Sequence, residues 1–294
     1  VPREQTVFVS GIGCSSRFPY YMDTYGVHSI HGRAPTLATG IKAVNPDLTV
    51  WVVTGDGDGL SIGGNHLVHC MRRNVDVKIL LFNNRVYGLT KGQYSPTSLQ
   101  GHRTKSTPMG SIDYPFNPMS VAIGAEATFV ARTQDTNTKH LQETLRRAAA
   151  HRGTAFVEIY QNCVVYNPTA WDHTTDSSVR DDNIVYVEEG KPLVYGRDND
   201  KGIRINGMIP EIVDVANGAS DELAVHQESL DNSSYAYMLS RMQHPEFPLP
   251  FGVLRDVSRP AYTDMLVDQV KDAVDSGDAD LNALLHSSDT WVVE

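Results

Sequence analysis

The chain has 294 residues, 40% of them hydrophobic, and carries a formal net charge of −10. That acidic balance argues against nucleic acid and anionic membrane surfaces as partners. No apolar run approaches membrane-span length and no signal peptide opens the chain. Three widely spaced cysteines, Cys14, Cys70 and Cys163, make no disulfide framework and fit a reducing cytoplasm. The length suits one large α/β domain or one and a half ordinary ones. Because Val1-Pro2 stands just before what reads as a core strand, a preceding segment is expected.

In chain order, residues 6–10 (TVFVS) read as a first strand that runs into the glycine turn 11–16 (GIGCSS). The aromatic stretch 17–25 reads as a loop, and a helix is predicted over 36–44. Residues 48–54 (LTVWVVT) form a β-branched apolar run, the mark of a strand buried on both faces. It stops at 55–59 (GDGDG), and Leu67, Val68 and Met71 then recur at helical spacing. A second apolar run, 77–82 (VKILLF), stops at Asn83-Asn84. Strand, helix, strand in that order is a βαβ unit with a right-handed crossover, so both loops open at the same carboxyl edge of a parallel sheet. Asp56 and Asn84 are therefore expected as neighbours.

The polar segment 87–114, which holds Lys91, His102, Arg103 and Lys105, has no periodic pattern; that length inside a compact domain points to function or mobility. A helix over 117–125, a strand over 127–132, an amphipathic helix over 138–151 and a strand over 155–160 follow, the last ending at Gln161-Asn162-Cys163. The polar stretch 164–182 marks the expected domain edge. The fold class is thus α/β: a parallel-sheet domain over 1–182 flanked by helices, with a smaller mixed C-terminal extension over 183–294 that packs on it or on a partner subunit. In the extension, 184–215 alternates like short strands and 233–242 reads as a helix. A second helix is predicted over 260–275, with Met265, Leu266, Val270, Ala273 and Val274 as its apolar face.

Asp56 offers a carboxylate and Asn84 a carbonyl oxygen, hard ligands of the kind Mg²⁺ takes together with substrate phosphates. The surrounding glycines let backbone approach a bulky anion. A bare GDG reads more readily as a tight turn with Asp56 capping the next helix; the Asn pair closing the following strand reverses that preference towards the metal. His31 sits beside a glycine turn, placed for a hydrogen bond to a cofactor or substrate, whereas His66 and His69 read as structural. On spacing alone Cys14 and Cys163 read as small buried apolar residues, and Cys70 as core.

GDG followed by NN at this separation resembles the thiamine-diphosphate signature. The strings GIGCSSRFPYY, HGRAPTLATG, TGDGDGLSIGGNH and NNRVYGLTKGQYSPTS together resemble the β subunit of 2-oxoacid:ferredoxin oxidoreductases, most of all the 2-oxoglutarate type, over about 5–170. The resemblance implies Mg²⁺ ligands at Asp56, Asn84 and the Val86 carbonyl. It implies a diphosphate lined by Gly57, Asp58, Gly88 and Leu89, with Ile12, Gly13, Cys14, Ser15, His31 and Gly32 nearer the cofactor rings. Gly88-Leu89 has the simpler alternative of an ordinary turn, and Lys91, matched to a coenzyme A position, that of a solvated lysine.

Cys14 and Cys163 match two ligands of a [4Fe-4S] cluster whose other two thiolates come from an upstream C-x-x-C, so either residues before Val1 supply that pair or the cluster is lost. The glutamate that activates the pyrimidine is expected on an α subunit in an (αβ)2 assembly. The implied reaction takes a 2-oxoacid and coenzyme A to an acyl-CoA and CO2 with electrons passed to ferredoxin, or runs in reverse. Arg17, Arg33 or a partner residue could meet a second substrate carboxylate. A pyruvate-type subunit, a non-redox thiamine decarboxylase or carboligase subunit and a catalytically silent scaffold are the alternatives.

Overall fold

The computed structural model describes residues 2–215, 222–277 and 280–293. Eleven strands are found among them: β1 (Thr6–Ser10), β2 (Tyr25–His28), β3 (Thr49–Gly55), β4 (Lys78–Asn83), β5 (Phe129–Gln134), β6 (Ala155–Tyr160), β7 (Ile184–Val187), β8 (Val194–Tyr195), β9 (Lys201–Asn206), β10 (Ile209–Asp214) and β11 (Leu249–Asp256). Eight of them form one sheet in the order β2-β1-β3-β4-β6-β5-β11-β7, and β8, β9 and β10 form a small antiparallel sheet. Every neighbouring pair from β2 to β5 is parallel; β11 runs antiparallel to β5, and β7 is parallel to β11. Two strands from the C-terminal part thus complete the main sheet. The short β2 and the long β11 were not read from the sequence: Tyr25–His28 is exposed along its whole length, and β11 carries Pro250 and Gly252, which disguise a strand.

The helices of the first part are α1 (Ala34–Val44), α2 (Asp56–Leu60), α3 (Gly64–Arg72), α4 (Pro118–Gly124) and α5 (Thr138–Ala150). Strand parity sends side chains to the two faces alternately. Ile79 and Leu81 join a core with Ala34, Leu67, Met71 and Met119 from α1, α3 and α4. Leu80 joins Phe129, Val157 and Ala148 of α5 on the other face. Helices therefore cover both faces, as a parallel sheet requires.

Further on lie α6 (Asp172–Thr175), α7 (Arg180–Asn183), α8 (Ser234–Arg241), α9 (Tyr262–Asp275) and α10 (Leu281–Leu285). The apolar face expected for the helix over 260–275 does not enter this core: Met265, Val270 and Val274 are exposed, and Thr263 alone of the residues of α9 is buried. Helical periodicity registers an apolar stripe but not whether anything is packed on it.

The amino-terminal edge of the sheet is fastened by charge. Asp76 receives Lys42 Nζ from α1 at 3.0 Å, Lys78 Nζ from β4 at 2.8 Å and Arg152 from the α5–β6 turn at 2.9 Å. The two ammonium groups are themselves fully engaged, Lys42 on the carbonyls of Pro46 and Leu48, Lys78 on those of His151 and Gly153. Burial alone would raise the Asp76 carboxyl, but Lys78 and Lys42 outweigh it and hold it at about 2. A depressed folded-state value means that this stabilisation is complete above the ordinary 3.8 and is lost as pH falls towards 2. Asp76→Ala leaves buried cations uncompensated and is expected to cost about 3–5 kcal/mol in urea unfolding. Asp47→Ala, at an exposed neighbour, should stay within about 0.5 kcal/mol of wild type.

Candidate active site

β1, β3, β4 and β6 are parallel, so the turns that follow them gather at one edge. They enclose a cavity lined by Ile12, Gly13, Cys14 and Ser15 after β1, by His31 before α1, and by Asp56, Gly57 and Asp58 after β3. The wall is completed by Val86, Tyr87, Gly88, Leu89 and Thr90 after β4. The structure thus brings together on one wall most of the residues singled out from sequence.

Asp58 organises the loops. Its Oδ1 accepts the backbone N–H of Ile12 at 3.1 Å and of Gly32 at 2.8 Å, and its Oδ2 accepts the Thr54 hydroxyl at 2.7 Å. Two loops and the end of β3 are thereby tied to one carboxylate. Gly32 does not line the cavity; it serves as one of these donors.

Asp56, two residues earlier and 2% exposed, is held differently. Its Oδ2 accepts the hydroxyls of Ser95 at 2.5 Å and Thr97 at 2.6 Å. Burial pushes its carboxyl up from the ordinary range, against the pull of those hydroxyls and of the Asn84 backbone N–H. Asn84 is thus a neighbour of Asp56, as the βαβ argument requires. Its Oδ1 accepts the Val86 N–H at 3.1 Å across Arg85, which has a positive φ of 56°. Among the described residues no cluster of three His, Cys, Asp or Glu side chains is placed to hold a metal, so a cation here depends on amide and carbonyl oxygens beside Asp56.

Tyr87 roofs the GDG turn. Its hydroxyl donates to the Gly57 carbonyl at 3.2 Å, and a side chain on Gly57 would overlap its ring. Gly88 lies between two sulfurs: the position of a Cβ there is 3.4 Å from Cys163 Sγ and 3.5 Å from Cys14 Sγ. Two thiols from turns about 150 residues apart therefore converge on a spot that glycine leaves open. Cys14 is exposed, Cys163 half-buried and Cys70 buried in α3. Lys91 is exposed just past this segment, at a φ of 78°. His31 is exposed at the cavity wall. Arg33 donates to the carbonyls of His31 and Ile62 at 3.0 and 3.3 Å, and Arg17 sits over the Tyr21 ring.

Sequence reasoning passed over Tyr87, Thr54, Ser95 and Thr97, and a buried pair beneath them. Glu158 of β6 accepts Arg132 Nε of β5 at 2.8 Å and Asn83 Nδ2 at 2.8 Å. The available signal was an acid inside AFVEIY and a base inside FVARTQ, strands otherwise apolar or neutral.

Residues 11–159 match the family described as thiamine pyrophosphate enzyme, C-terminal TPP binding domain. The chain is 52% identical over 296 residues to "2-oxoglutarate oxidoreductase subunit KorB" of Mycobacterium tuberculosis, across 99% of this chain and 79% of that one. The chain belongs to the thiamine-diphosphate-binding β subunits of the 2-oxoacid:ferredoxin oxidoreductases. A β subunit of such an enzyme from Aeropyrum pernix is 51% identical over 163 residues, 55% of this chain and 51% of that one, so the chain spans about half of that relative. The solved 2-oxoglutarate:ferredoxin oxidoreductase of Magnetococcus marinus, with 2-oxoglutarate, coenzyme A and succinyl-CoA bound, superposes with a TM-score of 0.78 at 30% identity, covering 99% of this chain and 84% of that one. No helix among the described residues of this β subunit is long and apolar enough to cross a membrane.

The three thiols make a direct test. Burial pushes the Cys70 thiol up to about 12, so it presents almost no thiolate at neutral pH. Iodoacetamide on the native, metal-free chain is expected to label Cys14 fastest, then Cys163, and to leave Cys70 unmodified until denaturant is added, as read by peptide mass spectrometry. Asp56→Ala is expected to abolish Mg²⁺-dependent binding of thiamine diphosphate in calorimetry while the circular dichroism of the fold is retained.

Proposed function

We propose that this chain is the β subunit of a 2-oxoglutarate:ferredoxin oxidoreductase. The overall reaction takes 2-oxoglutarate and coenzyme A to succinyl-CoA and CO2 and delivers two electrons to ferredoxin; the reverse carboxylation uses the same groups. The observation that carries this reading is the meeting of Cys14 and Cys163 over Gly88, at the wall of a cavity that also holds the buried Asp56 carboxylate. Two thiols flanking one glycine beside a cofactor cavity are what ligation of an iron–sulfur cluster next to that cofactor calls for.

The residues fit the groups that the family implies. Asp56, Asn84 and the Val86 carbonyl would hold Mg²⁺, a hard-oxygen set around a carboxylate already removed from water. Gly57, Asp58, Gly88 and Leu89 line the part suited to a diphosphate, and Ile12 to Ser15 with His31 the part suited to the rings. Thiamine diphosphate, when bound, supplies the carbanion-stabilising centre for cleavage beside a keto carbon. His31, exposed at the wall, is available to hydrogen-bond a substrate oxygen. Lys91 is a point charge at the mouth, suited to the phosphates of coenzyme A.

Cys14 and Cys163 would supply two of the four thiolates of a [4Fe-4S] cluster. The third cysteine, Cys70, is sealed in the core and is not assigned to the cluster.

The acids lining the cavity are Asp56 and Asp58, and both are committed, one to the metal position and one to the loops. The carboxylate that activates the pyrimidine is therefore assigned to an α subunit, in an (αβ)2 assembly. The names of the Mycobacterium and Magnetococcus relatives support 2-oxoglutarate over pyruvate.

The purified single chain with thiamine diphosphate and Mg²⁺ is expected to release no CO2 from 2-oxoglutarate. Reconstituted with its partner, it should reduce ferredoxin with 2-oxoglutarate and coenzyme A far better than with pyruvate. Cys14→Ser and Cys163→Ser should each lose the visible absorbance of the cluster and this reduction, and Cys70→Ser should keep both. An unchanged spectrum in Cys163→Ser would remove that residue from the cluster.

A further inference from the structure

The segment 95–98, Ser-Pro-Thr-Ser, lies within the long polar stretch after β4, yet Ser95, Thr97 and Ser98 are all buried, at 2%, 2% and 4% exposure. Their hydroxyls reach two points around Asp56 and Asn84. Ser95 and Thr97 converge on Asp56 Oδ2, and Ser98 donates to the Arg85 carbonyl at 2.6 Å. Ser98 Oγ also accepts the Ser95 N–H at 2.8 Å, which closes the turn on itself.

Behind Thr97 runs a second chain of contacts. Thr97 Oγ1 stands 2.9 Å from Asn83 Oδ1. The amide of Asn83 cannot turn over, because its Nδ2 donates to Glu158 Oε1, and Glu158 is in turn held by Arg132. Asn83 Oδ1 also accepts the Arg85 N–H at 3.2 Å. The Thr97 hydroxyl has one proton for two acceptors, Asp56 Oδ2 at 2.6 Å and Asn83 Oδ1 at 2.9 Å, and sits between them with the shorter bond to Asp56.

We infer that Thr97 and Ser95, backed by Asn83, Glu158 and Arg132, are positioning residues that fix the Asp56 carboxylate for its cation. The inference rests on reading Asp56 as a Mg²⁺ ligand. With two hydroxyls on one oxygen, the carboxylate cannot rotate without breaking both bonds. Through Ser98 the same turn sets the Arg85 carbonyl, between Asn84 and Val86. One four-residue turn thus fixes both halves of the donor set in a site where a lone carboxylate would otherwise be free to reorient. The first Asn of the pair, on this account, holds the support, and the second faces the metal.

The test uses the chain co-purified with its partner, Mg²⁺ titrated calorimetrically in the presence of thiamine diphosphate, and the melting of the metal-free protein as a control. Thr97→Val, which keeps shape and removes the hydroxyl, is expected to weaken Mg²⁺ binding about 10–100-fold with unchanged metal-free melting. Thr97→Ser should recover most of the affinity. Unchanged Mg²⁺ affinity in Thr97→Val overturns the inference, and so does a Thr97→Ser protein as weak as Thr97→Val, since the loss would then come from packing. Asp56→Ala run in parallel separates the two claims. Retained Mg²⁺ affinity there defeats the metal assignment itself, whereas loss there with Thr97→Val unaffected defeats the positioning role alone. Should Thr97→Val fail to fold, Ser95→Ala under the same titration is expected to weaken Mg²⁺ binding, and unchanged affinity in it overturns the inference.

Discussion

The cavity exists because one buried carboxylate ties two loops to the end of β3. Asp58 accepts the N–H of Ile12 from the turn after β1, the N–H of Gly32 from the turn before α1 and the hydroxyl of Thr54 at the end of β3. Each loop would otherwise be a surface segment free to move away from the sheet edge. A buried carboxylate is costly unless its lone pairs are satisfied, and here the satisfying donors are the loops themselves. The same bonds that make Asp58 tolerable place Ile12 to Ser15 and His31 against the GDG turn, and Cys14 is carried along with them to Gly88.

Asp56 and Asp58 show how two identical side chains, two residues apart, take unlike tasks. Asp58 receives donors on both oxygens, two of them backbone N–H groups. Asp56 receives side-chain hydroxyls on one oxygen and is raised by burial, which leaves a carboxylate suited to an added cation. The difference lies in what reaches them: the Gly11 and Gly32 loops reach Asp58, and the 95–98 turn reaches Asp56. The Glu158–Arg132 pair extends that support into the sheet, where a buried ion pair with every partner in place holds Asn83 in a single orientation.

Much of this was legible in advance. The strands at 6–10, 48–54, 77–82 and 155–160 lie within one residue of β1, β3, β4 and β6, because runs buried on both faces are continuous and end where the polar turn residues begin. Asp56, Asn84, Gly88 and Cys14 were named from motif and resemblance, and the structure gathers them. β2 and β11 were missed. One is a four-residue exposed edge strand and the other is interrupted by Pro250 and Gly252, so neither carries the pattern. The apolar stripe of α9 was read as a stripe, and within this chain Met265, Val270 and Val274 on it are exposed.

By itself the sequence determined the parallel βαβ core, the edge at which its loops open, and the family to which the chain belongs. These depend on local periodicity and on short motifs, both of which are properties of contiguous residues. Only the tertiary structure decided that Asp58 joins loops while Asp56 faces a buried turn, that Cys14 and Cys163 meet over Gly88, and that Ser95, Thr97, Glu158 and Arg132 stand behind the site. Those facts are hydrogen bonds and close approaches between residues separated by 26 to 149 positions in the chain. The partner of a buried polar group is chosen by the folded geometry that brings donor and acceptor together, and no local pattern in the sequence records that choice.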